Sequence, residues 1–275
     1  MKNQNTFELL AKIATRAAAG ITIGTLVFLV GFILVRGIPY IKPSLFSFTY
    51  NSENVSLMPA LISTIIMTLF SLLIAVPFGV SSAIYLTEYA GRGNKAVALI
   101  RVTTETLSGI PSIVYGLFGM LFFGTYLGWG FSLLAGAFTL AIMILPLIMR
   151  SSEEALKSVP DTYREGSFGL GAGKLRTVFK IVLPSAMPGI VAGVILAVGR
   201  IVGETAALIY TAGTVAQVPT NPMMSARTLS VHMYALSSEG LHTNEGYATA
   251  VVLLVVVVLI NMVSAKIAKK IGCAE

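Results

Sequence analysis

Arg200 and Glu204 stand four residues apart inside an otherwise apolar run, Met187–Tyr210. On a helix that spacing places both side chains on one face. At the helical rise per residue, Arg200 falls roughly 20 Å along the run, past the middle of a bilayer. An isolated charge at that depth costs at least about 2.5–3.5 kcal/mol on insertion scales, so such charges face a bundle interior or an aqueous path. Two roles fit. One is a structural ion pair that locks this segment to its neighbours. The other is an anion site in which Glu204 holds Arg200 until an anion competes for it. The planar guanidinium fork suits a tetrahedral oxyanion, because it offers paired, charge-assisted hydrogen bonds.

The other chemically capable residues offer less. Glu153 and Glu154 are adjacent acids in a charged segment and read as a solvated helix face. His232 and His242 are too isolated to argue a metal site. Cys273 is the only cysteine, so no intrachain disulfide is expected. Scattered methionines such as Met58 and Met67 read as lipid-facing or core filler. No apolar segment offers a nucleophile–base pair or a metal cluster, and no G-x-x-x-x-G-K-[S/T] phosphate loop is present. The chain is therefore expected to be neither an enzyme nor an ATP-driven motor in its own right.

The segment Arg150–Pro184 is the second feature. It holds Val159-Pro160-Asp161, where Asp161 is expected to start a helix and favour its positive end. Glycines at 166, 169, 171 and 173 allow a sharp turn and close backbone approach. The reading is a rigid helix–turn–helix presented to a partner, against the plainer reading of an ordinary connection.

The elements that position these residues follow from composition. Of 275 residues, 55% are hydrophobic and only 11% charged, against about 25% charged in soluble domains. Mean hydropathy is +0.84. The fold class expected is all-α and membrane-integral, with six spans: Ala17–Val35, Pro59–Tyr85, Leu107–Phe123, Phe131–Met149, Met187–Tyr210 and Tyr247–Ala265. The first ends without a small-x-small cleavage site and is expected to be retained. Thr106–Met149 is uncharged and too long for one helix; Gly124 and Gly128-Trp129-Gly130 supply the turn that divides it. In the third span, Gly109 and Pro111 are expected to weaken or kink the helix. Gly116, Gly119 and Gly124 would permit close packing.

Net charge is +7. With the N-terminus placed in the cytoplasm, 15 of the 19 Lys and Arg residues fall in cytoplasmic segments. Arg36, Lys42 and Arg227 alone lie outside, and Arg200 lies in a span. The positive-inside rule then puts both termini in the cytoplasm. The net charge thus reads as topology, not as affinity for nucleic acid.

Beside these physical readings stands a family resemblance. Glu165–Pro184 resembles the EAA loop of ABC importer permeases: Glu165, Gly171, Ile181, Leu183 and Pro184 fall at that motif's spacing, while Gly166 and Ser167 replace its two alanines. Gly199-Arg200-Ile201-Val202-Gly203-Glu204-Thr205-Ala206 is similar to the R-x-x-G-E-T signature of phosphate-specific transport (Pst) permeases. Leu86-Thr87-Glu88-Tyr89 and Gly109–Gly119 resemble the same group, over roughly residues 40–265. Glu204–Leu208 and Leu229–Tyr234 resemble the PstA form more than PstC, with Ala207 in place of a proline.

The resemblance implies the type I ABC importer permease (MetI-like) fold, placed in the cell inner membrane. It divides the chain into residues 1–55 with the first span, a transmembrane domain 56–266 with its coupling loop at 150–184, and a cytoplasmic tail 267–275. It implies a heterodimer with a PstC-type permease, a PstB-type ATPase dimer that binds ATP and Mg, and a PstS-type phosphate-binding protein outside. Arg200, Glu204 and Thr205 would line the path of phosphate. Glu165, Gly166, Ser167, Gly171, Ile181, Leu183 and Pro184 would couple to the ATPase. Two alternatives stay open: another oxyanion as cargo (sulfate, molybdate or phosphonate), and a membrane component of phosphate signalling.

Overall fold

Apolar runs broken by Gly, Pro and charge fold into helices throughout, as a bilayer requires of a backbone with no water to bond to. The computed structural model describes residues 2–91 and 93–272. Cys273, Arg92 and the last residues of the expected tail lie outside them.

Helix α1 is Lys2–Gly37, α2 Met58–Ile84, α3 Lys95–Ser108 and α4 Ser112–Gly119. Next come α5 at Leu133–Ser158, α6 at Asp161–Gly169, α7 at Lys174–Thr177 and α8 at Leu183–Gly203. The chain ends in α9 at Ala206–Thr211, α10 at Leu229–Glu239 and α11 at Thr243–Gly272. Three π-helical stretches extend or join these helices: Tyr85–Tyr89 prolongs α2, Met120–Tyr126 prolongs α4, and Val178–Val182 joins α7 to α8. Among the described residues, five helical segments are long and apolar enough to cross a membrane, and the number reaches six when α3 and the Ser112–Tyr126 segment, bent sharply apart, are counted as one span.

Five of the six expected spans form as long helices, the third is the bent pair, and four boundaries move. The third is not a kinked helix over Leu107–Phe123. α3 meets the Ser112–Tyr126 segment at 100°, because Pro111 has no N–H to continue the ladder and stands in extended backbone. Leu107 therefore belongs to α3, which lies across the end of the bundle. The fourth span runs on to Ser158 in one helix, so the loop expected to couple begins there and not at residue 150. The fifth stops at Gly203, seven residues before the expected Tyr210. The sixth continues through residues 267–272, so the expected tail is helical as far as Gly272.

The core sits where α2, α5, α8 and α9 meet, around Met67, Leu140, Ile144, Ile201 and Leu208. Ser71 Oγ donates to the Ala137 carbonyl at 3.2 Å, so α2 and α5 approach closely. Gly116 makes a second close approach: a Cβ there would lie 2.8 Å from Cα of Ala207 in α9. The helices α1 and α11 pack side by side, with Phe32 edge-on to Tyr247 at 5.9 Å. The end of α1, the start of α11, the start of α2 and α10 share one end of the molecule, joined by Leu45, Leu57, Leu229 and Ala248. α6 lies at the opposite end. A separate apolar cluster there, including Leu86, Val97, Leu156 and Val178, binds the ends of α2, α5 and the α7–α8 segment.

Candidate functional site

α8 carries Arg200 in its last turn and ends three residues later. Glu204 adopts extended backbone (φ −73, ψ 129), and α9 restarts at Ala206. The expected shared helical face therefore does not form. The Glu204 carboxylate instead accepts the Ala207 amide at 3.1 Å and caps α9, while its carbonyl accepts the Ser230 hydroxyl. Glu204 is 8% exposed. The expectation of an Arg200–Glu204 ion pair is corrected by this break: spacing of four brings side chains together only while the helix continues. Thr205 sits in the break, half-buried, with its hydroxyl 3.4 Å from the Gly203 carbonyl.

Arg200 is half-buried and has no carboxylate partner among the described residues. It lines a groove of about 580 Å3 with Leu147, Ile195, Leu196 and Asn261. Tyr115 on α4 lies within electrostatic reach of the guanidinium, and its hydroxyl donates to the Leu107 carbonyl at 2.7 Å. A guanidinium in an apolar groove that an amide also lines has hydrogen-bond donors to offer a small anion. Asn261 and Tyr115 were not anticipated. Asn261 had a readable signal, as the one amide inside the aliphatic run of the last span.

The coupling segment forms the helix–turn–helix anticipated for it. Asp161 is the first residue of α6, but Pro160 precedes it as the cap and the Asp161 carboxylate pairs with Arg164 at 3.2 Å. Gly171 turns the chain with φ +82, a conformation that favours glycine. Glycines 166, 169 and 173 meet no atom of this chain nearby, so close approach there is not intramolecular. Glu165 and Gly166 face outward on α6. Ser167 points inward, its hydroxyl 2.8 Å from that of Thr177, and fastens α6 to α7. Ile181, Leu183 and Pro184 lie apart from this turn, at the π-helical junction into α8. The seven expected coupling residues thus divide into an outward pair, an internal fastening, a turn and the helix junction that follows α7.

Glu153 also departs from expectation. It is 7% exposed, not solvated, with Arg101 at 2.7 Å and Lys157 at 2.6 Å. Glu154 does face solvent, 3.2 Å from Arg150. His232 is fully buried; one nitrogen lies 3.3 Å from Arg227, whose guanidinium stacks over Tyr50. Burial, and then the Arg227 charge, lower the His232 pKa from its ordinary value to about 4, with a small opposing contribution from the Val55 backbone. Residue type alone gave no sign of this pairing.

Residues 75–271 match the family described as "Binding-protein-dependent transport system inner membrane component". The chain is 35% identical over 243 residues to the "Probable ABC transporter permease protein YqgI" of Bacillus subtilis (strain 168), covering 81% of each chain. It is 35% identical over 212 residues to the "Phosphate transport system permease protein PstA 1" of Mycobacterium tuberculosis (strain CDC 1551 / Oshkosh), covering 76% of this chain and 69% of that one. Two solved structures share the fold at low identity. The MetNI methionine ABC transporter matches with TM-score 0.61 and 22% identity, over 78% of this chain and 93% of that one. A bacterial alginate ABC transporter matches with TM-score 0.66 and 15% identity, over 93% and 95%. The chain belongs to the family of binding-protein-dependent transport system inner membrane components, and it carries the fold of ABC importer permeases.

Proposed function

We propose that this chain is the PstA-type permease subunit of an ATP-driven importer of inorganic phosphate, conducting its cargo by alternating access. The observation that carries the reading is Arg200: a guanidinium held in an apolar groove in the last turn of α8, without a carboxylate partner among the described residues. Such a charge is costly to insert, and its chemistry fits a tetrahedral oxyanion. The relatives named for phosphate transport support the same cargo. Glu204 and Thr205 shape the break beside Arg200 and leave the guanidinium free for the anion. Affinity at this point is modest, since a conducting site must also release.

The proposed partners are a PstC-type permease, a PstB-type ATPase dimer that binds ATP and Mg, and a PstS-type binding protein. The α6 turn, with Glu165 and Gly166 outward, docks on the ATPase. ATP hydrolysis belongs to that partner and no catalysis to this chain. The reading puts both termini in the cytoplasm; what supports it is that the cations concentrate towards the α6 end, on the side to which α1 and α11 run out. The test is uptake of radiolabelled phosphate into vesicles bearing the whole complex. Excess unlabelled phosphate should suppress it, and sulfate, molybdate and phosphonate should not. Uptake of one of those anions in place of phosphate would keep the permease and change its cargo.

A further inference from the structure

Glu88 and Arg164 meet across 76 residues of sequence at the α6 end of the bundle. Arg164 Nη2 lies 2.7 Å from Glu88 Oε1, and Nε lies 3.2 and 3.4 Å from the two carboxylate oxygens. The rest of the guanidinium is also committed. Nη1 donates to the Val159 carbonyl at 2.7 Å, and Nη2 to the Leu156 carbonyl at 3.0 Å. One side chain on α6 therefore holds the last turn of α2 while closing carbonyls that the end of α5 leaves open. The pair is shielded, with side-chain exposures of 15% and 8%, against the apolar cluster of Leu86, Leu156 and Val159.

Two features set this pair apart from ordinary stapling. A buried ion pair is often no more stabilising than apolar residues of the same size, so stability alone is a weak reason for one here. Glu88 also lies on the π-helical turn Tyr85–Tyr89, and such turns are frequent at functional sites. Connectivity supplies the rest. α6 is bonded through the chain to α5 on one side and to α7–α8 on the other. α2 has no such covalent link to it. Its other ties to this module are the apolar contacts of the cluster at this end, which carry no direction, and Lys174 over Tyr89 at 5.1 Å, where both residues are exposed. Arg101 and Lys157, cations lining the adjoining cavity of about 630 Å3, are engaged by Glu153.

We infer that the Glu88–Arg164 pair is the strut through which motion of α6 reaches α2, making α2 move as one body with the coupling helix. The inference rests on the reading that α6 docks on an ATPase. Glu88 and Arg164 are positioning residues and touch no cargo. Glu88 is the side to vary, because replacing Arg164 also strips the Leu156 and Val159 carbonyls.

The experiment uses the complete complex in vesicles, with Glu88→Gln and Glu88→Asp. ATP hydrolysis and phosphate uptake are measured together. Spin labels at positions 162 and 78, both exposed and placed in a Cys273→Ser background, report the separation of α6 and α2 with and without trapped nucleotide. The expected result is that E88Q assembles and hydrolyses ATP at the wild-type rate while uptake falls about tenfold, a typical coupling effect. E88D restores most of the uptake. The label separation stays fixed through the nucleotide cycle in the wild type and changes in E88Q. Unchanged uptake in E88Q overturns the inference. So does a parallel loss of hydrolysis and uptake with subunits failing to co-purify, or a wild-type separation that shifts with nucleotide. If the wild type moves no phosphate, the cargo reading fails alone, and the label distances still decide the strut.

Discussion

The Glu204 carboxylate turns away from Arg200 and caps α9 through the Ala207 amide at 3.1 Å. That single bond separates the roles of two charges that stand four residues apart. Glu204 maintains the break in the helix, and Arg200 is left facing the groove. Removing the cap by Glu204→Ala should cost about 1 kcal/mol, the usual value of a helix cap. Glu204→Gln keeps an acceptor oxygen and should lie close to wild type. Thermal denaturation of the detergent-solubilised protein, comparing the two variants, checks this; equal loss in both would show that the charge matters and the cap does not.

Close approach of α4 and α9 at Gly116 gives a second expectation. A Cβ there would sit 2.8 Å from the Ala207 Cα, a backbone atom that cannot rotate away. Gly116→Val should destabilise by about 1–3 kcal/mol through overpacking. The check is the yield of monodisperse protein and its denaturation temperature. Wild-type behaviour would mean that α4 and α9 part easily.

His232 predicts a pH dependence. Its folded-state pKa is lowered to about 4 by burial and by Arg227, against about 6.5 when unfolded. Between those values the unfolded chain binds the extra proton, so stability rises with pH. It should be complete above about pH 6.5 and fall as pH drops towards 4, by up to about 3 kcal/mol. The groups that face the ring are Tyr50, Val55 and Arg227. The denaturation temperature of wild type should fall more steeply than that of His232→Gln between pH 6.5 and 4.5; parallel curves would remove the histidine from the explanation.

Much of this architecture was legible in the order of residues. Charge gaps gave the number of spans, and the glycines and charges of 150–184 gave the helix–turn–helix of the coupling segment. The failures have two causes, a helix that breaks and a partner that arrives from elsewhere in the chain. Reading Arg200 and Glu204 as one face presumed a continuous helix, whereas Gly203 and the Glu204 cap end it. Reading Gly109 and Pro111 as a kink missed that α3 is a separate helix, turned 100° by a residue that cannot extend the ladder. Glu153 looked solvated because its partner Arg101 arrives from another helix. The Glu88–Arg164 contact is settled by tertiary packing across 76 residues, and no local pattern announces it.

The most direct test of the central claim is phosphate uptake by the whole complex carrying Arg200→Gln, with Arg200→Lys alongside. The groove and the absence of a carboxylate partner among the described residues predict that R200Q loses uptake by at least about tenfold, as expected when a buried charge partner is removed. R200K should retain an intermediate rate, since it keeps the charge and loses the planar fork. Assembly and ATPase docking should survive in both, because α6 lies at the far end of α8. Wild-type uptake in R200Q would contradict the account and place the anion path elsewhere in the molecule.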